Sequence, residues 1–268
     1  MPSLALACRL SAVSRASRRP FSPASLFSSG EQGVWYDPSD LSTLYQDAAG
    51  TIPVTAVGQP VGKILDKSGR GNHAFQATAT SRPVLRQDAS GRYYLSFDGV
   101  DDWMQTNRID FTSTDKMTVM AGVRKLSDAA TATLFETSSS IINNNGTLFF
   151  GSPTSTNSYQ FNSKGSSESI AGSGKGVYVA PITNVVAGIS DISGDSVILR
   201  VNGNQVAQST ADQGTGNYGN YPLYLGSRDG LYFRFNGWLY SLIIRGAQST
   251  EQQIASAEAW VNTKTGAY

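Results

Sequence analysis

The chain has 268 residues, which is enough for one large domain or two small ones. Its 21 basic and 20 acidic residues give a formal net charge of +1, and only 15% of residues are charged, which excludes the basic surface of a nucleic-acid-binding protein. One cysteine and one histidine exclude an internal disulfide and a metal site built from several Cys or His ligands, and no apolar run is long enough for a membrane span.

Residues 1–30 differ in composition from the rest of the chain. They contain four arginines, eight serines and no acidic residue. Such a segment is typical of an organelle transit peptide, of a flexible arm that orders only on a partner, or of a leader without a structural role. We expect residues 1–30 to be a flexible arm without stable structure. Residues 31–65 are then a segment packed on the main domain, which is formed by residues 66–268.

Short strands separated by turn signals follow this segment. The stretch 51–57 is β-prone but contains Pro53, which suits an edge strand. Residues 66–73 form a polar loop with two glycines, and residues 93–97 are predicted to be a strand that ends in the turn Asp98-Gly99. Further strands are predicted at residues 117–124, 132–136, 147–150, 159–162, 184–192, 197–201, 205–208, 223–226 and 237–245.

Two local units are the clearest. Asn202-Gly203 lies between two β-prone runs and predicts a hairpin, because both residues tolerate positive φ. Near the C-terminus, Ser249 or Thr250 can cap a helix with the apolar face Ile254, Ala257 and Val261, and Gly266 ends it. About ten strands with one terminal helix predict an all-β fold, a two-sheet antiparallel jelly-roll sandwich.

Three stretches, in this order, resemble the laminin-G-like, concanavalin A-like jelly-roll superfamily. They are residues 66–73 (D-x-S-G-x-G-N-H), residues 95–102 (L-S-F-D-G-V-D-D), and the late pair 199–203 and 235–240, which precedes the helix. The resemblance extends from Asp66 to the C-terminus and implies a β-sandwich over that range.

Residues 33–47 and 58–62 are similar to the segment that leads into such domains in structural proteins of bacteriophages and prophages. The resemblance implies a virion protein on a tail fibre, a tail tip or the capsid surface. In such a protein the N-terminal arm would bind other virion proteins, and a symmetric homo-oligomer, a trimer, is expected.

The one concentrated acidic cluster is Asp98, Asp101 and Asp102. Carboxylates at this spacing can hold Ca²⁺, and relatives of this fold often bind calcium at the rim of the sandwich. The alternative is that Asp98-Gly99 is a turn in which the aspartates bond backbone amides. The same two interpretations, a structural role or a metal ligand, apply to Asp66 with Asn72, and His73 is expected to be a loop or core residue rather than a ligand.

We expect no enzymatic activity. Some sandwiches of this superfamily hydrolyse glycosides, which requires two carboxyl groups across a cleft. In those enzymes, acidic residues alternate along one strand. The five glutamates of this chain, at positions 31, 136, 168, 251 and 258, contain no such acid-x-acid pattern.

Aromatic residues in polar loops indicate a ligand site. Asn217, Tyr218 and Tyr221 lie in a Gly- and Asn-rich loop, and Tyr232 follows a second turn. Tyrosine rings and amides beside flexible glycine suit a sugar. Alternatively, Tyr221 and Tyr232 pack at the sandwich edge, whereas Trp103 and Trp238 are expected in the core. The predicted function is binding of host-surface glycans by a virion protein; the alternative is a capsid or tail decoration protein with a passive sandwich.

Overall fold

Apolar side chains alternate with polar ones along strands such as Ser196–Val201 and Glu168–Ala171, which gives the sheets one face to bury. The computed structural model describes residues 20–152, 157–172 and 176–268. Two antiparallel sheets pack face to face, and a helix follows the last strand. The predicted two-sheet jelly-roll sandwich is confirmed.

In the described residues the strands are, in chain order, β1 (Gly33–Tyr36), β2 (Leu44–Tyr45), β3 (Lys63–Ile64), β4 (Ala74–Phe75), β5 (Val84–Gln87), β6 (Tyr93–Asp98), β7 (Met104–Asp110), β8 (Lys116–Lys125), β9 (Ala132–Thr137), β10 (Thr147–Ser152), β11 (Gln160–Lys164), β12 (Glu168–Ala171), β13 (Ile182–Asp191), β14 (Ser196–Val201), β15 (Asn204–Ser209), β16 (Asn220–Leu225) and β17 (Asn236–Arg245). The helix α1 spans Glu251–Thr265.

One sheet has eight strands in the order β15-β14-β13-β8-β17-β6-β5, with β1 added along the second half of β17. The other has nine strands in the order β12-β11-β10-β9-β16-β7-β4-β3-β2. The core between them contains apolar side chains of both inner faces. Examples are Phe97, Phe135, Phe150, Phe161 and Leu239.

The nine-stranded sheet is wider than the sequence predicts. The two-residue strands β2, β3 and β4 extend it beyond β7, although they carry no recognisable period. The predicted edge strand at 51–57 does not form. Only Pro53 bridges to Tyr45, and the side-chain amide of Gln46 donates to the Pro53 carbonyl at 3.0 Å.

The predicted flexible arm is too long by at least eleven residues. Residues 1–19 lie outside the described residues, but Pro23–Phe27 form a 3-10 helix. Leu26 and Phe27 are fully buried, in a second apolar cluster that also contains Trp35 and Ala257 of α1. Burial of these two apolar side chains stabilises a segment that is ordered in the structure. Its high serine content predicts a flexible arm instead.

Asp66 ties the loop after β3 to β1. Its buried carboxylate accepts hydrogen bonds from the Trp35 and Ser68 backbone N–H groups at 2.9 and 2.8 Å, from the Asn72 N–H at 3.0 Å and from the Ser68 hydroxyl. The Asp66 N–H itself donates to Nδ1 of His73 at 3.0 Å. The loop therefore covers the free edge of β1, which pairs with β17 on its other side.

Both local units are confirmed. Asn202 and Gly203 have φ of 50° and 78° and connect β14 to β15. Thr250 caps α1 in a reciprocal arrangement with Gln253, and Gly266 ends the helix in the left-handed conformation. No helix in the described part of the chain is long and apolar enough to cross a membrane.

We predict that Asp66→Ala lowers the free energy of unfolding by at least about 3 kcal/mol, because three buried N–H groups lose their acceptor and each costs about 1–3 kcal/mol. Asp66→Asn keeps one acceptor oxygen and should lose less. Chemical denaturation of the three proteins measures this order. Equal unfolding midpoints for wild type and Asp66→Ala would contradict the role given to this carboxylate.

We also predict that Leu26→Ala lowers the free energy of unfolding by about 3 kcal/mol, the usual cost of a cavity at a buried leucine. Ser28→Ala, which changes an exposed side chain in the same segment, is the control and should unfold like wild type. Thermal unfolding of both variants tests whether residues 20–30 belong to the folded domain.

Candidate functional site

The structure does not bring the predicted ligand residues together. Tyr218 is buried in the main core, and its hydroxyl lies 2.6 Å from each of the Ser163 and Ser190 hydroxyls. Burial raises the pKa of Tyr218 to about 12. The prediction that Tyr218 contacts a ligand is therefore wrong: its ring fills the sandwich, and its hydroxyl is bonded there.

The other three predicted residues lie near the two ends of β16. Asn217 is exposed but donates its amide to the Thr112 carbonyl at 2.7 Å, and Tyr221 is half-buried near the start of β16. Tyr232 is 62% exposed and lies beyond the opposite end of that strand. Six residues of strand span about 17–20 Å, so Tyr232 and the Asn217–Tyr221 loop are separate surfaces.

The two tryptophans expected in the core are half-buried on outer faces instead. Trp238 stacks on Tyr94 with ring centroids 4.1 Å apart. Trp103 lies beside Tyr224 and under Gly230, where an added Cβ would approach the indole ring to 2.5 Å. Trp103 thus supports the loop that connects β16 to β17.

The acidic cluster has the geometry of a turn. Asp98 Oδ1 accepts the N–H groups of Val100, Asp101 and Asp102 at 2.7, 3.2 and 3.4 Å, and Asp102 Oδ2 accepts the Asp98 N–H at 3.0 Å. The three carboxyl groups offer oxygens within 4.8 Å of one another. Burial, followed by the Asp98 charge, raises the pKa of Asp102 to about 7.

This cluster fits a calcium ion only in part. Ca²⁺ takes six to eight oxygen ligands, whereas Asp98 and Asp102 each use one oxygen on the backbone and Asp101 accepts the Ser81 hydroxyl. Arg234 also donates to the Asp101 carbonyl oxygen. The turn interpretation explains these contacts without a metal, and the calcium site stays a prediction.

A row of side chains crosses the outer face of the nine-stranded sheet. Residues paired directly across neighbouring strands point to the same face. From β2 to β12 the row is Tyr45, Lys63, Phe75, Gln105, Tyr224, Glu136, Phe149, Asn162 and Ile170. None of these residues belongs to the main core cluster. The outer face therefore carries aromatic, amide and charged side chains on a rigid support.

Near β9 and β10 this row forms what we call the Arg228 site, made of Glu136, Phe149, Asn162, Arg228 and Phe233. The side chain of Glu136 is fully buried. It accepts the Arg228 Nε–H at 2.8 Å and the Ile141 N–H at 2.8 Å. The Arg228 guanidinium lies 5.3 Å from the ring centroid of Phe149 and 4.8 Å from that of Phe233. Burial raises the pKa of Glu136, and Arg228 opposes this shift.

The loop between β16 and β17 supplies Arg228 and Phe233. Arg228 and Tyr232 pair in an isolated bridge around the turn at Asp229 and Gly230. Phe233 has φ of 53°, a conformation that is unfavourable for a bulky residue and recurs at binding sites. Its carbonyl accepts the Thr133 N–H at 2.8 Å, which anchors the strained residue on β9.

A pocket of about 270 Å³ opens at the Arg228 site. Its walls include Phe233, which is 40% exposed, and the exposed residues Ile142 and Ile170. A chain of hydrogen bonds forms its polar side. Gln160 donates to Asn162 at 2.7 Å, and Asn162 donates to Glu168 at 2.7 Å.

Sequence reasoning missed this site. Its residues come from β9, β10, β11 and a loop some 90 residues away from Glu136, so no local motif contains them. One signal is present in the sequence: Glu136 follows the apolar residues Leu134 and Phe135 at the end of a predicted strand. A strand acid that becomes buried requires a cationic partner, so Glu136 predicts that an arginine or lysine packs against it.

No protein-family model matches the chain, and no curated protein matches it. Solved structures match in fold. A structure of botulinum neurotoxin type C, described for its interaction with two ganglioside molecules, gives a TM-score of 0.59 at 12% identity over 90% of this chain and 53% of that one. The ligand-binding domain of botulinum neurotoxin serotype D, in complex with N-acetylneuraminic acid, gives 0.53 at 12% identity over 74% and 48%.

Trypanosoma rangeli sialidase gives a TM-score of 0.55 at 11% identity over 88% of this chain and 34% of that one. The chain thus spans about half the length of the neurotoxin chains and about a third of the sialidase. At identities this low the likeness shows the fold alone, and that fold is the concanavalin-like jelly-roll sandwich.

For Asp102 we predict stability that falls as the pH rises through about 7, the native pKa. The unfolded carboxyl ionises near its ordinary value of 3.8, so between these pH values the native state binds the extra proton. In the presence of a chelator, the free energy of unfolding of wild type, relative to that of Asp102→Asn, should therefore fall from pH 5 to pH 8. A constant difference would show that Asp102 titrates normally.

The same two proteins test the calcium prediction. If the cluster binds Ca²⁺, millimolar calcium at pH 8 raises the melting temperature of wild type by mass action, and chelator reverses the rise. Asp102→Asn should respond less. An unchanged melting temperature leaves Asp98, Asp101 and Asp102 as turn residues.

Proposed function

We propose that this domain binds carbohydrate and that the Arg228 site is the principal contact. The observation that carries the proposal is the guanidinium of Arg228, held by a buried carboxylate and placed between two phenylalanine rings at the wall of a pocket. Among the described residues, its side chain donates a hydrogen bond only through Nε, to Glu136. The terminal N–H groups are left for a ligand.

The chemistry of the pocket suits a sugar ring. The exposed faces of Phe233, Ile142 and Ile170 offer an apolar platform for the C–H face of a pyranose. Arg228 can donate to ring hydroxyls, and Glu168 and Gln160 can accept from them. The hydrogen bond from the Thr133 N–H and the contact with the Arg228 guanidinium hold Phe233 in place before the ligand arrives, which reduces the entropy lost on binding.

The fold is compatible with this role. Two proteins that share it are described in complexes with N-acetylneuraminic acid or in interaction with gangliosides. Because the likeness concerns the fold, it supports carbohydrate as the first ligand class to test.

We propose further that the domain binds without catalysis. Glu168 is the one carboxylate among the described residues that line the pocket. The second carboxylate of the site belongs to Glu136, whose two oxygens are both bonded and whose side chain is fully buried. Glu136 therefore positions Arg228 and cannot reach a glycosidic oxygen. The corresponding expectation is that no reducing sugar is released when the protein is incubated with the glycans that it binds.

The setting that we propose is a bacteriophage or prophage particle, with the domain displayed on a tail fibre and the N-terminal segment bound to other virion proteins, as a trimer. The similarity of residues 33–47 and 58–62 to phage structural proteins supports this part. Several copies would then raise a weak sugar contact to useful strength through avidity.

We predict that Phe233→Ala weakens binding to the best glycan of an array about tenfold, which corresponds to about 1.4 kcal/mol, because the stacking platform is lost. Phe233→Gly should weaken binding similarly while matching or exceeding wild type in melting temperature, because glycine tolerates positive φ. Tyr268→Ala, which removes an exposed aromatic ring at the C-terminus, is the control. Calorimetric titration and thermal unfolding measure both quantities.

Wild-type affinity in Phe233→Ala and Phe233→Gly would contradict the placement of the site. Absence of any binding by wild type across the array would contradict the proposed function itself. The decoration alternative, a sandwich without a specific ligand, would then take its place.

A further inference from the structure

A second pocket, of about 470 Å³, opens where β3, β4 and β7 lie side by side. Lys63, His73, Phe75 and Asn107 line it, and we call it the Lys63 pocket. Lys63 and Phe75 belong to the outer row that also contains Glu136 and Phe149. The Lys63 pocket and the Arg228 site therefore share one face of one sheet.

Lys63 brings an uncompensated positive charge to this pocket. Among the described residues Lys63 forms no ion pair. Its ammonium group makes one long hydrogen bond, 3.4 Å, to the Ala49 carbonyl. Its stem packs over Gly50, where an added Cβ would lie 3.1 Å from Lys63 Cδ. The side chain is thus positioned by its neighbours while the charge stays available.

Asp47 and Asp66, two acidic residues on loops that flank β3, form no ion pair with Lys63. Asp47 is bonded within its own loop, to the Thr51 N–H and hydroxyl and to the Ile52 N–H. Asp66 is bonded to backbone N–H groups and to the hydroxyl of Ser68. Both carboxylates are thus held by groups other than Lys63.

His73 adds a directed donor. Its Nδ1 accepts the Asp66 N–H at 3.0 Å, so the neutral ring carries its proton on Nε2. Burial, and then the nearby Lys63, lowers the pKa of His73, which keeps the ring neutral at pH 7. The pocket thus combines an ammonium group, an imidazole N–H, the exposed amide of Asn107 and the ring of Phe75.

We propose that the Lys63 pocket is a second carbohydrate subsite that binds the negatively charged group of an acidic sugar. The inference rests on the proposed carbohydrate-binding function of the outer face. Lys63 would pair with the oxyanion, a carboxylate or a sulfate, while His73 and Asn107 donate hydrogen bonds and the sugar ring packs on Phe75.

The spacing of the two sites suits one extended ligand. Lys63 and Glu136 lie four strands apart in the row, which corresponds to about 19 Å at the usual strand separation. An oligosaccharide of a few residues can span this distance. A neutral sugar on the Arg228 site and an acidic sugar on the Lys63 pocket would fix the direction of the glycan across the sheet.

The test uses the full chain and three methyl glycosides that share one ring: glucoside, glucuronide and glucoside 6-sulfate. His73 is the sole histidine of the sequence, so its imidazole NMR signals report on this pocket without ambiguity. We expect the glucuronide or the 6-sulfate to shift these signals at concentrations where the neutral glucoside does not. The comparison of the two acidic probes distinguishes a carboxylate ligand from a sulfate ligand.

Lys63→Met keeps the apolar stem and removes the charge. It should weaken binding of the acidic probe about tenfold and leave the affinity for neutral glycans at the Arg228 site unchanged. Arg86→Met, which removes one exposed positive charge from β5 in the other sheet, is the matched control and should bind both probe types like wild type.

Equal His73 shifts with all three probes, or an acidic-probe affinity that Lys63→Met leaves unchanged, would overturn the inference. If neutral glycans still bind in a manner sensitive to Phe233→Ala, the proposed function survives that result. If wild type binds no neutral or acidic glycan at all, the proposed function and the inference both fall.

Discussion

The buried carboxylate of Asp66 accepts hydrogen bonds from the backbone of Trp35, which lies 31 residues earlier in the chain, and from the backbone of Ser68 in its own loop. Because Trp35 lies in β1 and, among the described strands, β1 pairs only with β17, this carboxylate secures β1 on its unpaired side. The same residue fixes the ring of His73 through its own N–H. Closure of the sheet edge and the shape of the Lys63 pocket therefore depend on one side chain.

The outer face of the nine-stranded sheet shows how a sandwich can present a polar surface without losing rigidity. Glu136 and Phe149 point away from the core yet are almost fully buried, because the loop that carries Arg228 and Phe233 folds over them. Gly230 packs against Trp103, and Gly226 packs against the core residue Phe97. These two contacts fix the position of the loop on the sandwich. A buried ion pair of this kind contributes little net stability, and it defines where the guanidinium lies.

The long strands, the Asn202-Gly203 hairpin and α1 were predictable because local signals determine them: period-two alternation, a turn that needs positive φ, and helix caps. The two-residue strands β2 to β4 were not, since two residues carry no period and their pairing is imposed by neighbours. Tyr218 was misplaced because a tyrosine in a Gly-rich loop has the same sequence context whether it faces solvent or core. Arg228 and Phe233 are far from Glu136 in the chain and come together with it only after folding, so no local pattern in the sequence predicts the Arg228 site.

One edge of the nine-stranded sheet has a consequence for how copies of the chain behave together. The segment around Pro53 borders β2, with the Val54 N–H bonded to Leu44 and the Gln46 N–H to Ile52. The backbone nitrogen and carbonyl of Pro53 therefore point away from β2. The nitrogen has no proton to donate, and the carbonyl already accepts the side-chain amide of Gln46. A neighbouring strand finds no free ladder position at residue 53. At this position the edge therefore resists the addition of a strand from another copy of the chain.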